Sequence, residues 1–123
     1  MIAYLVAAAA RVDITDILAW TEDRFGEVIR RRYENLLTTG FRDLAADPER
    51  IGSIVRDELA PGLRSYHLRY SRERARAAGG FIRHPRHLLL YQVMPTGMVG
   101  IGRALHDSTE IDPHLPADFD FTP

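Results

Sequence analysis

Three groups of side chains have types and spacings that bear on chemistry. Ser65 and Ser71, with a histidine and an aspartate, would make a nucleophilic triad for acyl transfer. Neither serine sits in the Gly-x-Ser-x-Gly elbow that exposes such a nucleophile, so a hydrolase of that kind is not expected. His84 and His87 stand three residues apart, a possible metal pair. Pro85 lies between them, further candidate ligands are distant in sequence and the chain has no cysteine, so no metal site is expected. The third group is Arg64, Arg86 and Arg103 with His87 and His106. Strand ends can gather these five, with arginine binding phosphate or carboxylate and histidine moving a proton near neutral pH. The same residues read equally as the rim of a basic sheet edge, or as partners of an acidic tail.

Composition narrows the chemistry further. Without cysteine there are no disulfides, thiol nucleophiles or thiolate metal sites. All sixteen basic residues are arginine, so the chain also lacks an amine nucleophile and a lysine acid or base. The net charge of −1 conceals an uneven distribution. Residues 64–106 carry eight arginines against one acid, Glu73, whereas residues 107–120 carry five acids and no arginine. A basic segment followed by an acidic one implies an anionic partner or self-neutralisation.

The elements that must position these groups follow from periodicity. Arg86 to His106 has the form of two buried strands around a tight turn. His87 to Met94 is nearly continuous apolar, the pattern of a central strand, and Met94-Pro95-Thr96-Gly97 supplies the turn. From Met98 the residues alternate, with Val99, Ile101, Arg103 and Leu105 expected on one face. Gly100, Gly102, Ala104 and His106 are expected on the other, a small face over which something bulky can lie. Ile2 to Ala7 reads as a first strand rather than a signal core, because no basic leader precedes it.

Asp13 or Thr15 caps an expected helix with Ile14, Ile17, Leu18, Thr21 and Phe25 on its core face. Trp20 lies about 100° off that stripe, either a flank contact or a half-exposed anchor. Gly26 separates this helix from a second over residues 27–46, with Tyr33, Leu36, Leu37, Gly40 and Leu44 sharing a face. Gly40 leaves a gap for a neighbouring side chain. Residues 51–60 read as an irregular link or a short amphipathic piece through Ile51, Ile54 and Val55, Leu63 to Arg69 as a strand, and Ser71 to Pro85 as a solvated loop or hairpin extension. The order is β-α-α-β-β-β, an α+β layout in which an antiparallel sheet carries the N-terminal helical hairpin on one face. Residues 1–116 are expected to form one domain and residues 117–123 a flexible acidic tail. No apolar stretch approaches the roughly 18 residues of a membrane span, so a cytoplasmic protein is expected.

Matching residues spread from Tyr4 to Pro116 carry a resemblance. They comprise Ala10, Asp13-Ile14, Asp16-Ile17 and Trp20; Phe25-Gly26; Leu44-Ala45 with Pro48 and Gly52; and Pro61-Gly62-Leu63-Arg64-Ser65. Further along come Arg86-His87, Tyr91-Gln92-Val93, Arg103-Ala104-Leu105-His106 and Ile111-Asp112-Pro113-His114-Leu115-Pro116. In this order and spacing the chain resembles the ParE branch of the RelE/ParE toxins of type II toxin–antitoxin modules. The resemblance implies three to four antiparallel strands with a helical hairpin. It also implies a ParD-like antitoxin in a hetero-oligomeric complex, and DNA gyrase as a target inhibited by binding, without catalysis or cofactor.

The sister RelE branch cuts mRNA on the ribosome and places an arginine where this chain has Leu88. It also uses lysine, and tyrosine near the C-terminus, which are missing after Tyr91. Two further departures are the long segment from Ser71 to Pro85 and Ser108-Thr109-Glu110, where ParE chains often carry a Met-Asp pair. Arg64, Arg86, His87, Arg103 and His106 are the expected target-binding residues. Trp20, Tyr33, Gly100, Gly102 and Ala104 are the expected antitoxin-binding residues, with ordinary packing as the alternative for Trp20 and Tyr33. The alternative functions are a RelE-type endonuclease using Arg86, His87, Arg103 and His106, and a noncytotoxic member that only binds antitoxin.

Overall fold

The computed structural model describes residues 4–115 and Phe119. Strand β1 (Tyr4–Val6) leads directly into helix α1 (Ala8–Phe25), and Gly26 turns the chain into α2 (Glu27–Ala46). Strands β2 (Ser53–Val55) and β3 (Arg64–His67) follow, then a 3-10 turn at Leu68–Ser71 and helix α3 (Arg72–Ala77). Strands β4 (His87–Val93) and β5 (Val99–His106) close the sheet, and a last 3-10 turn covers Asp112–His114. The expected α+β order holds. Ile2 and Ala3 of the expected first strand, and all of the expected tail 117–123 except Phe119, lie outside the described residues.

The sheet has the order β1-β5-β4-β3-β2 and is mixed rather than wholly antiparallel. Hairpin-connected neighbours pair antiparallel, as short links require. β1 instead precedes both helices, is separated from β5 by most of the chain and pairs with it in parallel, with Tyr4 opposite Val99 and Val6 opposite Ile101. No short connection constrains its direction, so nothing local in the sequence announces it.

Helix α2 forms as its periodicity predicts, burying Tyr33, Leu36, Leu37, Gly40 and Leu44 on the sheet. The gap at Gly40 is filled by Leu68: a Cβ there would stand 2.8 Å from its Cδ2. Helix α1 departs from expectation at both ends. It begins five residues before Asp13, so neither Asp13 nor Thr15 caps it, and Phe25 is 60% exposed rather than core.

Two other expectations are corrected. Residues 53–55 are an edge strand, held by register with Arg64–Tyr66, although Ile54 and Val55 are too exposed to make an apolar signal. The segment after Ser71 is no solvated loop. Asp43 of α2 is buried, and its carboxylate receives Arg74 at 2.6 Å, Arg50 at 2.7 Å and the Ser71 hydroxyl at 2.7 Å. That anionic centre docks α3, with Ala75 fully buried beneath it. Arg74, which looks like part of a solvated face in sequence, is the partner of a distant carboxylate on α2, while Arg72 and Arg76 pair with Glu73 of α3 itself.

The last correction concerns β5. Its pairing with β4 runs from His87↔His106 to Leu90↔Arg103 and resumes at Tyr91↔Ile101, leaving Gly102 without an opposite residue. This bulge reverses the alternation beyond it. Ala104 therefore joins Val99 and Ile101 in the core under the helices, while Leu105 packs on the far face with Leu63 and Leu90.

Past Ile101, the side of β5 away from β4 has no further strand among the described residues, and α1 supplies the missing acceptor. Asp13 Oδ2 takes the backbone N–H of Ala104 at 3.0 Å. The same carboxylate takes the Arg103 fork at 2.7 and 2.8 Å. Substituting Asp13→Ala leaves a largely covered guanidinium and a strand N–H unpaired. It should lower unfolding free energy by about 2–3 kcal/mol, read as a drop in urea midpoint at unchanged m-value.

Candidate functional site

At one end of the sheet, β4 and β5 place His87 opposite His106, with ring centroids 5.4 Å apart in an edge-to-face arrangement. Asp107 follows β5 directly and returns its backbone N–H to the Arg86 carbonyl at 2.8 Å. Its carboxylate then sits 3.1 Å from His67 Nε2, 3.3 Å from the Arg86 guanidinium and 3.5 Å from His106 Nδ1. Burial works to raise the Asp107 pKa. The His67 hydrogen bond and the positive field of Arg86 and the histidines outweigh it and hold the carboxyl below its ordinary value.

Tyr33 reaches this end from α2. Its hydroxyl accepts the Arg86 backbone N–H at 3.2 Å, so its own proton is directed at His87 Nδ1, 2.5 Å away. That hydrogen bond assigns the His87 proton to Nε2. Desolvation is the main cause of both shifts in the pair: Tyr33 is pushed up to about 12 and His87 down to about 4, with His106 adding to the latter. Desolvation favours the uncharged form of both groups, so at neutral pH the pair is an uncharged hydrogen-bonded unit. The sequence expectation that His87 binds by charge or moves protons meets a half-buried, neutral ring whose Nδ1 is engaged by Tyr33.

The remaining expected residues separate. Arg64 stands opposite Tyr91, four positions along β4 from His87, or about 13 Å at strand rise. There its Nε donates to Ser53 Oγ at 2.8 Å, beside the Tyr91 hydroxyl that donates to the Pro48 carbonyl at 2.5 Å. Arg103 is held between Asp13 and the His114 carbonyl, 2.6 Å from Nη1. Arg86 differs from both, with a side chain that is 60% exposed.

Between the tip of the helical hairpin and the chain leading into β4 runs an apolar groove of about 550 Å³. Trp20, Phe25 and Ile29 form one wall, and Phe81 and Ile82 the other. Tyr33, His87 and His106 line the groove as well, and Arg32, Arg83, His84 and Arg86 join its lining. Trp20 is 52% exposed, with Phe25 edge-on to its ring at 5.9 Å and the Arg24 guanidinium 5.2 Å from its centre. The structure thus brings Trp20 and Tyr33, expected for antitoxin, together with Arg86, His87 and His106, expected for target. A shallower depression of about 360 Å³ shares Trp20, His87 and His106 and adds Arg103 and Ala104. Gly100 and Gly102 line neither.

Sequence reasoning missed His67 and Asp107, because neither shares a motif with the residues it holds. It also missed the Phe81-Ile82 wall. An apolar pair directly after Gly79-Gly80, inside a basic run, is the signal that could have found it.

A family model described as the ParE toxin of the type II toxin–antitoxin system parDE matches residues 4–111. The chain belongs to the ParE toxin family. It is 30% identical over 112 residues to Toxin ParE1 of Mycobacterium tuberculosis, strain CDC 1551 / Oshkosh, covering 91% of this chain and 96% of the mycobacterial one. The Toxin ParE1 of strain ATCC 25618 / H37Rv matches with the same identity and coverage. Membership in the ParE family implies a cognate antitoxin as partner. The matched region takes in the groove's lining residues and the Asp13–Arg103 pair, and stops at Ile111. No helix among the described residues is long and apolar enough to cross a membrane.

The neutral His87 carries a measurable consequence. An unfolded histidine binds a proton near pH 6.5, but native His87 does so only near pH 4. Between those values the unfolded chain holds more protons, so stability rises with pH. The contribution is complete above pH 6.5 and is lost as pH falls towards 4. The protein should lose about 2–3 kcal/mol across that window. In His87→Gln the slope should flatten, as measured by urea unfolding at stepped pH.

Proposed function

We propose that this ParE-family toxin acts by binding DNA gyrase, without chemistry of its own, and that a ParD-like antitoxin neutralises it by occupying the same groove. One observation carries the reading. Two of the four groups a ribosome-dependent nuclease would use here are engaged within the protein itself. His87 is neutral and hydrogen-bonded to Tyr33, and Arg103 is forked onto Asp13. In-line attack by a ribose hydroxyl needs a base poised near the working pH and cations free to meet developing charge on phosphate. Leu88, where the nuclease branch has arginine, points the same way.

What remains available is a recognition surface. Arg32 and Arg83 make no ion pair among the described residues, and Arg86 is largely exposed, so these cations and the apolar walls of the groove face outward together. An acidic, apolar protein segment suits that combination, since charge steers the encounter and apolar contact supplies affinity. Because residues assigned to antitoxin and to target line one groove, antitoxin and target exclude one another. Neutralisation is then occlusion, in a cytoplasmic toxin–antitoxin hetero-oligomer.

Purified toxin at micromolar concentration should inhibit gyrase supercoiling and raise the level of cleaved DNA complex. Prior addition of the antitoxin encoded beside it should abolish both effects. An inert toxin in this assay would discard gyrase as target, and codon-positioned cuts in translated mRNA would restore the nuclease. Trp20→Ala removes half-exposed surface and should cost less than about 1 kcal/mol of stability. It should weaken the antitoxin complex at least about tenfold by titration calorimetry, as expected for an aromatic anchor; the opposite ranking would return Trp20 to ordinary packing.

A further inference from the structure

The bulge on β5 holds a ring. Gly102 has no residue opposite it on β4, and a Cβ there would stand 2.7 to 2.9 Å from three carbons of the Phe119 ring. The missing side chain makes the hollow that the ring fills. Phe119 packs against both apolar clusters, the one beneath the helices and the one on the far face. Arg103, the next residue on the strand, donates to the His114 carbonyl at 2.6 Å, five positions before Phe119. In sequence Phe119 lies between Asp118 and Asp120. Nothing in the groove uses it.

We propose that Phe119 is an internal occupant of a partner-binding hollow: in the free toxin it fills the seat at Gly102, and an aromatic residue from an acidic segment of the antitoxin takes its place in the complex. This rests on the reading that an antitoxin binds the toxin. The seat fits one planar ring and no more, because a bulge at glycine opens a single side-chain position. The occupant already present defines the chemistry a competitor must match, an aromatic ring flanked by carboxylates. The excess of arginine in residues 64–106, eight against one acid, favours the approach of such a segment. The toxin's own tail then sets the apparent affinity, since a seat filled most of the time is competent only for the remaining fraction.

The test uses the full chain with 4-fluorophenylalanine at position 119 alone, and the full-length antitoxin encoded next to the toxin gene. Fluorine NMR of the free toxin should show a packed environment, and saturation with antitoxin should move the resonance to its solvent-exposed position. Phe119→Ala should tighten antitoxin binding about tenfold, as expected when an internal competitor populated about nine-tenths of the time is removed. A fluorine resonance unchanged in the saturated complex would overturn the proposal while leaving antitoxin binding intact. Weaker binding by Phe119→Ala would do so too, by making Phe119 part of the interface. Failure of the two proteins to associate would instead overturn the antitoxin reading, and this inference with it.

Discussion

The structure depends on one carboxylate at the point where the sheet runs out of strands. β1 pairs with β5 only as far as Ile101, where Ala7 gives its backbone N–H to the Ile101 carbonyl at 2.8 Å. Beyond that point β5 would present an open edge to α1. Asp13 continues the ladder with a side chain, accepting the Ala104 N–H and binding the Arg103 fork. A charge-assisted, bidentate contact is strong and directional. It fixes the rotation of α1 against the sheet and with it the place of Trp20 two turns further along. It also fixes Arg103, which in turn grips the His114 carbonyl. One contact therefore sets the groove wall on one side and the course of the C-terminal segment on the other.

A second carboxylate does comparable work on the other side of α2. Asp43, buried and surrounded by Arg50, Arg74 and Ser71, brings α3 against the helical hairpin. With α3 docked, the following chain carries Phe81 and Ile82 to the groove, and the Arg76 guanidinium lies 4.8 Å from the Phe81 ring centre. The groove is thus built from two separate pieces of chain, each held by a buried or half-buried ion pair. Such pairs contribute less to net stability than to specificity of arrangement, because desolvation offsets much of the attraction. Among the cations around the groove, Arg32 and Arg83 make no ion pair among the described residues, and Arg86 stays largely exposed beside Asp107.

Much of the architecture was legible beforehand, for reasons that can be named. Helix α2 announced itself through the spacing of Tyr33, Leu36, Leu37, Gly40 and Leu44. The β4–β5 hairpin did so through an apolar run, a Pro-Thr-Gly turn and a second apolar stretch. The gap at Gly40 was correctly read as room for a neighbour, which proves to be Leu68. Edge strand β2 was not legible, because three residues with two exposed apolar side chains carry no periodicity. Helix α3 was not legible either, because its Arg74 serves Asp43 and only tertiary proximity shows that. Of the candidate site, Arg86, His87 and His106 were found and do converge. Their organisers, His67 and Asp107, and the Phe81-Ile82 wall went unseen.

The sequence by itself determined the family, the α+β order and the class of chemistry: no cysteine, no lysine, a basic segment running through the closing strands, and leucine where the nuclease branch has arginine. These are properties of residue identity and local spacing. Tertiary structure alone decided that β1 runs parallel to β5, that the bulge at Gly102 reverses the faces of Ala104 and Leu105, and that His87 is a neutral partner of Tyr33. It also decided that Arg103 is largely covered by its partners while Arg86, beside Asp107, stays largely exposed. Each of these turns on the partner a group meets from far along the chain, and on how much water that meeting removes. Neither quantity is written in a residue's neighbours in sequence.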